Sequence, residues 1–307
     1  MMLWYNSKQF FADIQWMDDI KMKYSVENVS QSSQQEMLNF LKEHENYSLF
    51  LLGNFESYGA TLTEAPYSGN YKLIRSLDKI EGVFCLTKTG NLLIESATDD
   101  SIFEMVVEAC IQEKITLKGL IGNWNYCGPF WEYLKSKKII KNEIAASKEI
   151  LYCIDLSMQD FPAQSNVRFL TEADYIQWKI LIQDYIVEQG FPNDLTDHQL
   201  LDQFLDKTNK KIIWGLFLKN TLVSIADLNA KALDLGQVGG VYTHPNYRQK
   251  GYSRSVMQQL LLDAKKVHKI RKLIIFTGDN NFPAQKLYKS LGVESVGYFA
   301  LLFGTSD

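Results

Sequence analysis

Between Leu235 and His268 the chain changes character twice. Leu235–Thr243 reads as a strand, a polar loop with Pro245 follows, and a helix is predicted from Gly251 to His268. A strand that runs through a loop into a helix calls for a sheet with helices packed on it. The loop has a second consequence. A helix N-terminus presents several unpaired N–H groups in one direction, and its dipole adds partial positive charge, so it is a ready anion site. Gly251 lets the backbone approach a phosphate, Ser253 is too small to block it, and Arg248, Lys250 and Arg254 add positive charge. The ligand implied is a pyrophosphate on a small molecule. The plainer alternative is an ordinary strand–loop–helix join with surface cations. The spacing matches neither GxxxxGK[ST] nor GxGxxG.

The rest of the chain supplies elements of both kinds. Residues 1–30, with Trp4, Tyr5, Phe10, Phe11, Ile14, Trp16 and Met17, read as an N-terminal helical extension. Ser33–His44 is predicted helical, and short apolar runs follow at Leu49–Leu52, Tyr71–Arg75, Gly82–Thr87 and Asn91–Glu95. Lys88-Thr-Gly-Asn91 reads as a hairpin turn. A helix at Ser101–Glu113, a strand at Thr116–Ile121, a helix from Phe130 to Lys137 and a strand at Glu149–Ile154 complete the first half. Leu156–Ser165, polar and holding Pro162, reads as a linker. A similar order then returns. A strand at Asn166–Leu170 leads to a helix from Glu172 to Gly190, capped by Thr171, and a helix at His198–Asp206. Strands at Lys211–Leu218 and Leu222–Asn229 precede the Leu235 strand and the Gly251 helix. After them come a strand at Lys272–Thr277, a helix at Phe282–Leu291 and a strand at Val296–Phe303. This predicts an α/β (α+β) chain with mixed sheets flanked by helices, repeated in tandem.

A length of 307 residues suits two domains, and 46% hydrophobic residues against 22% charged excludes bulk disorder. The net charge of −4 argues against a nucleic-acid partner bound through its phosphates, and the cluster Lys135, Lys137, Lys138 and Lys141 reads as a solvated helix end. Cys85, Cys110, Cys127 and Cys153 form no CxxC pair or Cys/His cluster, so free thiols and no metal are expected. Asp13, Asp18 and Asp19 argue against a signal peptide, and no stretch of about 18 apolar residues predicts a membrane span. A soluble, cytoplasmic protein is expected.

Arg248-Gln-Lys-Gly251-Tyr-Ser253, entered through His244-Pro-Asn-Tyr-Arg248, resembles the [R/Q]xxGx[G/A] signature of the GNAT N-acetyltransferase superfamily, with Ser253 in place of the usual Gly or Ala. Downstream, Asn281, Ala284 and Tyr288 match the superfamily's NxxAxxxY spacing, and Leu291-Gly292 ends the helix in the same way. The resemblance implies acetyl-CoA as cofactor and no metal. It implies that Arg248, Gln249, Lys250, Gly251, Tyr252, Ser253 and Arg254 bind the pyrophosphate. Val241 and Thr243, on a splayed strand, and Asn281 would bind the pantetheine arm, and Tyr288 would protonate the leaving thiolate. It also implies a tandem member: an extension over 1–30, a degenerate GNAT-like domain over 31–155, a linker over 156–165 and a GNAT domain over 166–307. Each domain is then a mixed, mostly antiparallel twisted sheet flanked by helices. In the first, the loop equivalent Ser96-Ala-Thr-Asp-Asp-Ser101 has no glycine and two acids, which repel a pyrophosphate. Gly119-Leu-Ile-Gly-Asn-Trp124 resembles a strand and turn of such degenerate halves.

The activity implied is acetyl transfer from acetyl-CoA to the primary amine of a small molecule, amino acid or peptide, by direct attack in a ternary complex. The alternative is a catalytically silent coenzyme A-binding module. Gln237 stands where histone-type members carry a glutamate base, and glutamine accepts no proton at neutral pH. Glu188, Asp184, Asp227, Tyr242 and His244 are left as candidate bases.

Overall fold

The computed structural model describes residues 23–189 and 195–307. They divide into two compact units, one running up to Glu149 and including Tyr298–Asp307, the other Ile150–Gly297.

In the first unit the strands are β1 (Tyr24–Asn28), β2 (Gly69–Ser76), β3 (Lys79–Thr87), β4 (Asn91–Ser96) and β5 (Gly119–Asn123). The helices are α1 (Gln34–Glu43), α2 (Glu45–Tyr58), α3 (Phe103–Gln112) and α4 (Trp124–Ser136). β3 and β4 are buried along almost their whole length. Such strands read as continuous apolar runs because helices cover both faces. α1 packs on β3 and α2 on β4. On the other face α3 and α4 close a core with Phe84, Ile94, Phe103, Phe130 and Leu134. The sheet order is β1-β2-β3-β4-β5, antiparallel except for the parallel pair β4/β5. Beyond β5 lies β12 (Glu294–Thr305), the last strand of the chain, paired antiparallel from Phe299↔Asn123 to Phe303↔Gly119.

The second unit repeats this plan. β7 (Val167–Phe169), β8 (Ile213–Leu218), β9 (Thr221–Ala232) and β10 (Leu235–Thr243) pair antiparallel in sequence order, and β11 (Lys272–Gly278) joins β10 in parallel. The strand beyond β11 is β6 (Asn142–Asp155), whose last residues belong to this unit. α5 (Tyr175–Gln189) and α6 (Asp197–Asn209) cover one face around Trp178, Phe204, Ile225 and Tyr242. On the other face α7 (Tyr252–Lys266) and α8 (Phe282–Ser290) close a core with Trp214, Leu260, Ile275 and Tyr288.

The mixed sheets flanked by helices match the fold class read from the sequence. Two local expectations are corrected, and a third lies largely outside the described residues. Leu49–Leu52 is not a separate extended run but lies inside α2, where Leu49, Leu51 and Leu52 are buried. Four apolar residues carry too little periodicity to separate strand from helix. α4 starts at Trp124 rather than Phe130, with Asn123 Oδ1 accepting the Asn125 N–H. Pro129 reads as a breaker but is accommodated within this helix. The helical extension placed at 1–30 falls largely outside the described residues, as do Trp4, Tyr5, Phe10, Phe11, Ile14, Trp16 and Met17. Its described part holds strand β1.

The division of the chain also differs from a cut at one linker between 31–155 and 166–307. No helix or strand occurs in 156–165, but β12, the last strand of the chain, belongs to the first unit from Tyr298, and the last residues of β6 belong to the second. Side-chain periodicity shows that a strand has a buried face; it does not name the edge that the strand joins. Among the described residues no helix is long and apolar enough to cross a membrane.

Candidate active site

β10 and β11 are in parallel register from Leu235↔Lys272 to Val238↔Ile275 and no further, although both strands continue. Just past that point β10 slips against β9: Gly239 pairs with Asp227, but the next pair is Tyr242 with Ile225. One extra residue on β10 makes a bulge, which bends the strand. Gly240 takes it up with φ +55°. The two parallel strands therefore part at Val238, leaving the Gly239–Thr243 segment outside the ladder with β11. Val241 packs against the core on the α7–α8 face, and Thr243 Oγ1 lies 2.7 Å from Ser224 Oγ.

From Thr243 the chain turns through Pro245–Tyr247 and enters α7. Gln249 and Gly251 are in the left-handed region, φ +61° and +79°. Left-handed residues in such a turn form a concave nest of backbone N–H groups. The first amide of α7 with an intrahelical-type bond is Ser255, donating to Gly251 O at 3.0 Å. The amides of Tyr252, Ser253 and Arg254 meet no acceptor among the described residues. No acid lies in the first turn of the helix, and a Cβ built on Gly251 would meet nothing within 4 Å. These features together make an open, donor-only cradle. Gln249, Lys250 and Arg254 are exposed around it.

Arg248 takes a different position from a plain phosphate contact. Its Nε donates to Thr243 O at 2.9 Å, its Nη2 meets Glu188 Oε2 at 2.5 Å, and its guanidinium lies 5.2 Å from the Tyr242 ring centre. It ties the loop before α7 to the splayed strand and to the end of α5. Glu188 holds the Arg248 guanidinium above its ordinary value, and burial, with Glu188 next, pushes the Tyr242 hydroxyl up.

At α8, Asn281 Oδ1 accepts the Ala284 N–H at 3.2 Å, so this side chain is first of all an N-cap. Tyr288 is 5% exposed, edge-on to Tyr152 at 5.3 Å between ring centres. Val241, Tyr247, Tyr252 and Ala284 pack against the same cluster as Tyr288, so both motifs converge on one face of the sheet.

Of the candidate bases, Tyr242 lies in the core on the opposite face. Gln237 is buried and its Nε2 donates to Val238 O at 2.7 Å. Glu188 is held by Arg248. His244 Nδ1 accepts the Asn246 N–H at 3.3 Å and is part of the turn. Asp227 is buried and ion-paired to Lys207, a residue that sequence reasoning missed. Lys207 reads locally as an ordinary cation in the last turn of a helix; only packing brings it under β9.

The first unit has a parallel split at the equivalent place, after Ile94↔Gly122, but its loop is filled. Asp99 Oδ1 accepts the Ser101 N–H at 3.1 Å, so the protein supplies its own anion to that helix start. Hydrogen bonding to Ser101 holds the Asp99 carboxyl below its ordinary value. Burial pushes the Cys85 and Cys110 thiols up to about 12 and Cys127 well above the ordinary value, which disfavours the thiolate. No group of three or more His, Cys, Asp or Glu is placed to hold a metal among the described residues.

A parallel pair splits beside a bulge, and a cradle of backbone donors follows at a helix start; this arrangement suits an anionic group of a ligand. Residues 177–293 match the model of the acetyltransferase (GNAT) family. The fold resembles a Drosophila protein at TM-score 0.64 and 12% identity, over 92% of this chain and 99% of that one. It also resembles a tandem GNAT protein from the clavulanic acid biosynthesis pathway (0.52, 9%, 93% and 99%) and a GCN5-related N-acetyltransferase from Sphaerobacter thermophilus (0.53, 11%, 92% and 96%). The curated proteins give no match. The stretch 177–293 is thus a GNAT-family acetyltransferase domain, within a chain that has the fold of a tandem GNAT protein.

Proposed function

We propose that this protein moves an acetyl group from acetyl-CoA to a primary amine of a small molecule, amino acid or peptide, by direct attack in a ternary complex in the cytoplasm. The observation that carries this reading is the donor cradle at the start of α7, open in front of Gly251 and next to the split of β10 from β11. Acetyl-CoA supplies an activated acetyl thioester there. The amides of Gly251, Tyr252, Ser253 and Arg254 take the pyrophosphate, with Gln249, Lys250 and Arg254 at its rim and Arg248 bracing the loop. The backbone of Val241 and Thr243 takes the pantetheine arm, and the Asn281 amide NH₂ is the remaining donor at the start of α8. Tyr288 protonates the departing thiolate.

The test is release of free thiol when acetyl-CoA is mixed with a panel of amines and peptides. Turnover of at least one amine is expected. Tight acetyl-CoA binding without thiol release from any of them would leave a binding module only. Tyr288→Phe should lower kcat by about 100-fold with unchanged acetyl-CoA affinity; full activity would remove Tyr288 from the mechanism.

A further inference from the structure

We infer that Asp227 receives the acceptor amine and takes its proton, a reading that rests on the acetyl transfer proposed above. Asp227 is 3% exposed. Lys207 holds its Oδ2, while Oδ1 is buried with no hydrogen-bond partner among the described residues. A buried acceptor left without a donor destabilises the fold. Folds keep such groups mainly where something other than packing calls for them. What faces the carboxylate is glycine. A Cβ on Gly240 would lie 3.0 Å from Asp227 Oδ1, and Gly239 in the same way leaves room for the Asn229 amide. Two residues without side chains thus set a carboxylate and an amide against the β10 backbone, at the rung where β10 leaves β11.

The first unit repeats the feature independently. Its parallel pairing ends at Ile94↔Gly122, and the next residue is Glu95, 2% exposed, with Oε2 unpartnered among the described residues. Val83↔Glu95 is the same rung of the ladder as Asp227↔Gly239, with the acid on the other strand. The acid therefore goes with the place where the strands part, not with the local packing of one strand. Only the second unit sets the donor cradle beside it.

The sheet separates the two ends of the reaction. Asp227 is two residues from Ile225 on β9, so both face α5 and α6, whereas Tyr288 lies in the core on the α7–α8 face. The amine nitrogen forms its bond to the thioester carbonyl carbon and its proton passes to Asp227 Oδ1. The C–S bond breaks, the sulfur keeps the electron pair, and the thiolate takes the Tyr288 proton. Exchange with water restores both residues.

The test is Asp227→Asn in the full chain, with lysine, spermidine and an alanine tripeptide as acceptors. For an accepted amine, kcat/KM should fall by about 100-fold or more. Calorimetry on the complex with coenzyme A should show weaker amine binding, while acetyl-CoA affinity is unchanged. If the single variant does not fold, Asp227→Asn with Lys207→Met removes both charges and should give the same losses. An active wild type beside an equally active variant, or equal amine affinity, overturns the assignment of Asp227 and leaves acetyl transfer standing. A wild type that binds no acetyl-CoA, or acetylates none of the three, overturns both.

Discussion

At Gly251 the backbone sits at φ +79° with open space where a Cβ would go, so the glycine is needed for its conformation and not for room inside the protein. Gly251→Ala should cost about 1–2 kcal/mol of stability in a urea titration. If the loop relaxes instead, the cradle opens, and acetyl-CoA affinity should fall about 10-fold, a loss of about 1.4 kcal/mol. Retained affinity at full stability would show that the loop does not need this geometry. Glu95 gives a second residue-scale prediction. Burial pushes its carboxyl up to about 8 from an ordinary 4.5. Between those values the folded chain holds a proton that the unfolded chain has lost, so its effect is to lower stability as pH rises from about 5 to 8. The slope is about 1.4 kcal/mol per pH unit at most. Glu95→Gln should therefore be more stable than wild type at pH 8, and the gain should vanish near pH 5 in paired thermal melts. These two residues differ in what the sequence discloses. Gly251 stands in a motif and is found by reading; Glu95 reads as an ordinary polar strand end, because burial under α1 and α2 has no local signature.

At the scale of elements, the strands and helices around the site were readable because each carries its own period and caps. β10 begins and ends at the residues expected, Leu235 and Thr243, and Thr171 meets Asp174 at the start of the turn leading to α5. α8 is an instructive case. Its Asn281 occupies the motif position implied to bind the cofactor arm, and it also caps the helix. Asn281→Ala should lower stability by about 1 kcal/mol and Asn281→Asp should restore it, since aspartate caps as well. Only the arm-binding role would leave Asn281→Asp with weakened acetyl-CoA binding, as measured by calorimetry. What could not be read at this scale was the bulge at Gly240. A Gly-Gly pair in a strand marks a possible irregularity, but which strand slips, and against what, is decided by Asp227 and Asn229 filling the space that two absent side chains leave.

At the scale of the whole molecule, the last strand is the decisive element. β12 completes the sheet of the first unit, and Phe299, Ala300 and Leu302 are buried there. Deleting 298–307 removes Phe299 and Leu302, whose burial is together worth about 3–6 kcal/mol. Amides of β5 should lose hydrogen-exchange protection, while those of β10 keep theirs; the reverse pattern would show that β12 is not part of the first unit's sheet. The sequence by itself determined the fold class, the similar order of elements in the two halves, the strand–loop–helix unit and the residues of both motifs, because each of these is written in local periodicity, caps and spacing. The tertiary structure alone decided which sheet each terminal strand joins, that Arg248 braces the loop against Glu188, and that Asp227 and Lys207 meet beneath the bulge. Those are contacts between residues far apart in the chain, and a residue's local pattern carries the burial of its face but not the identity of the partner that buries it.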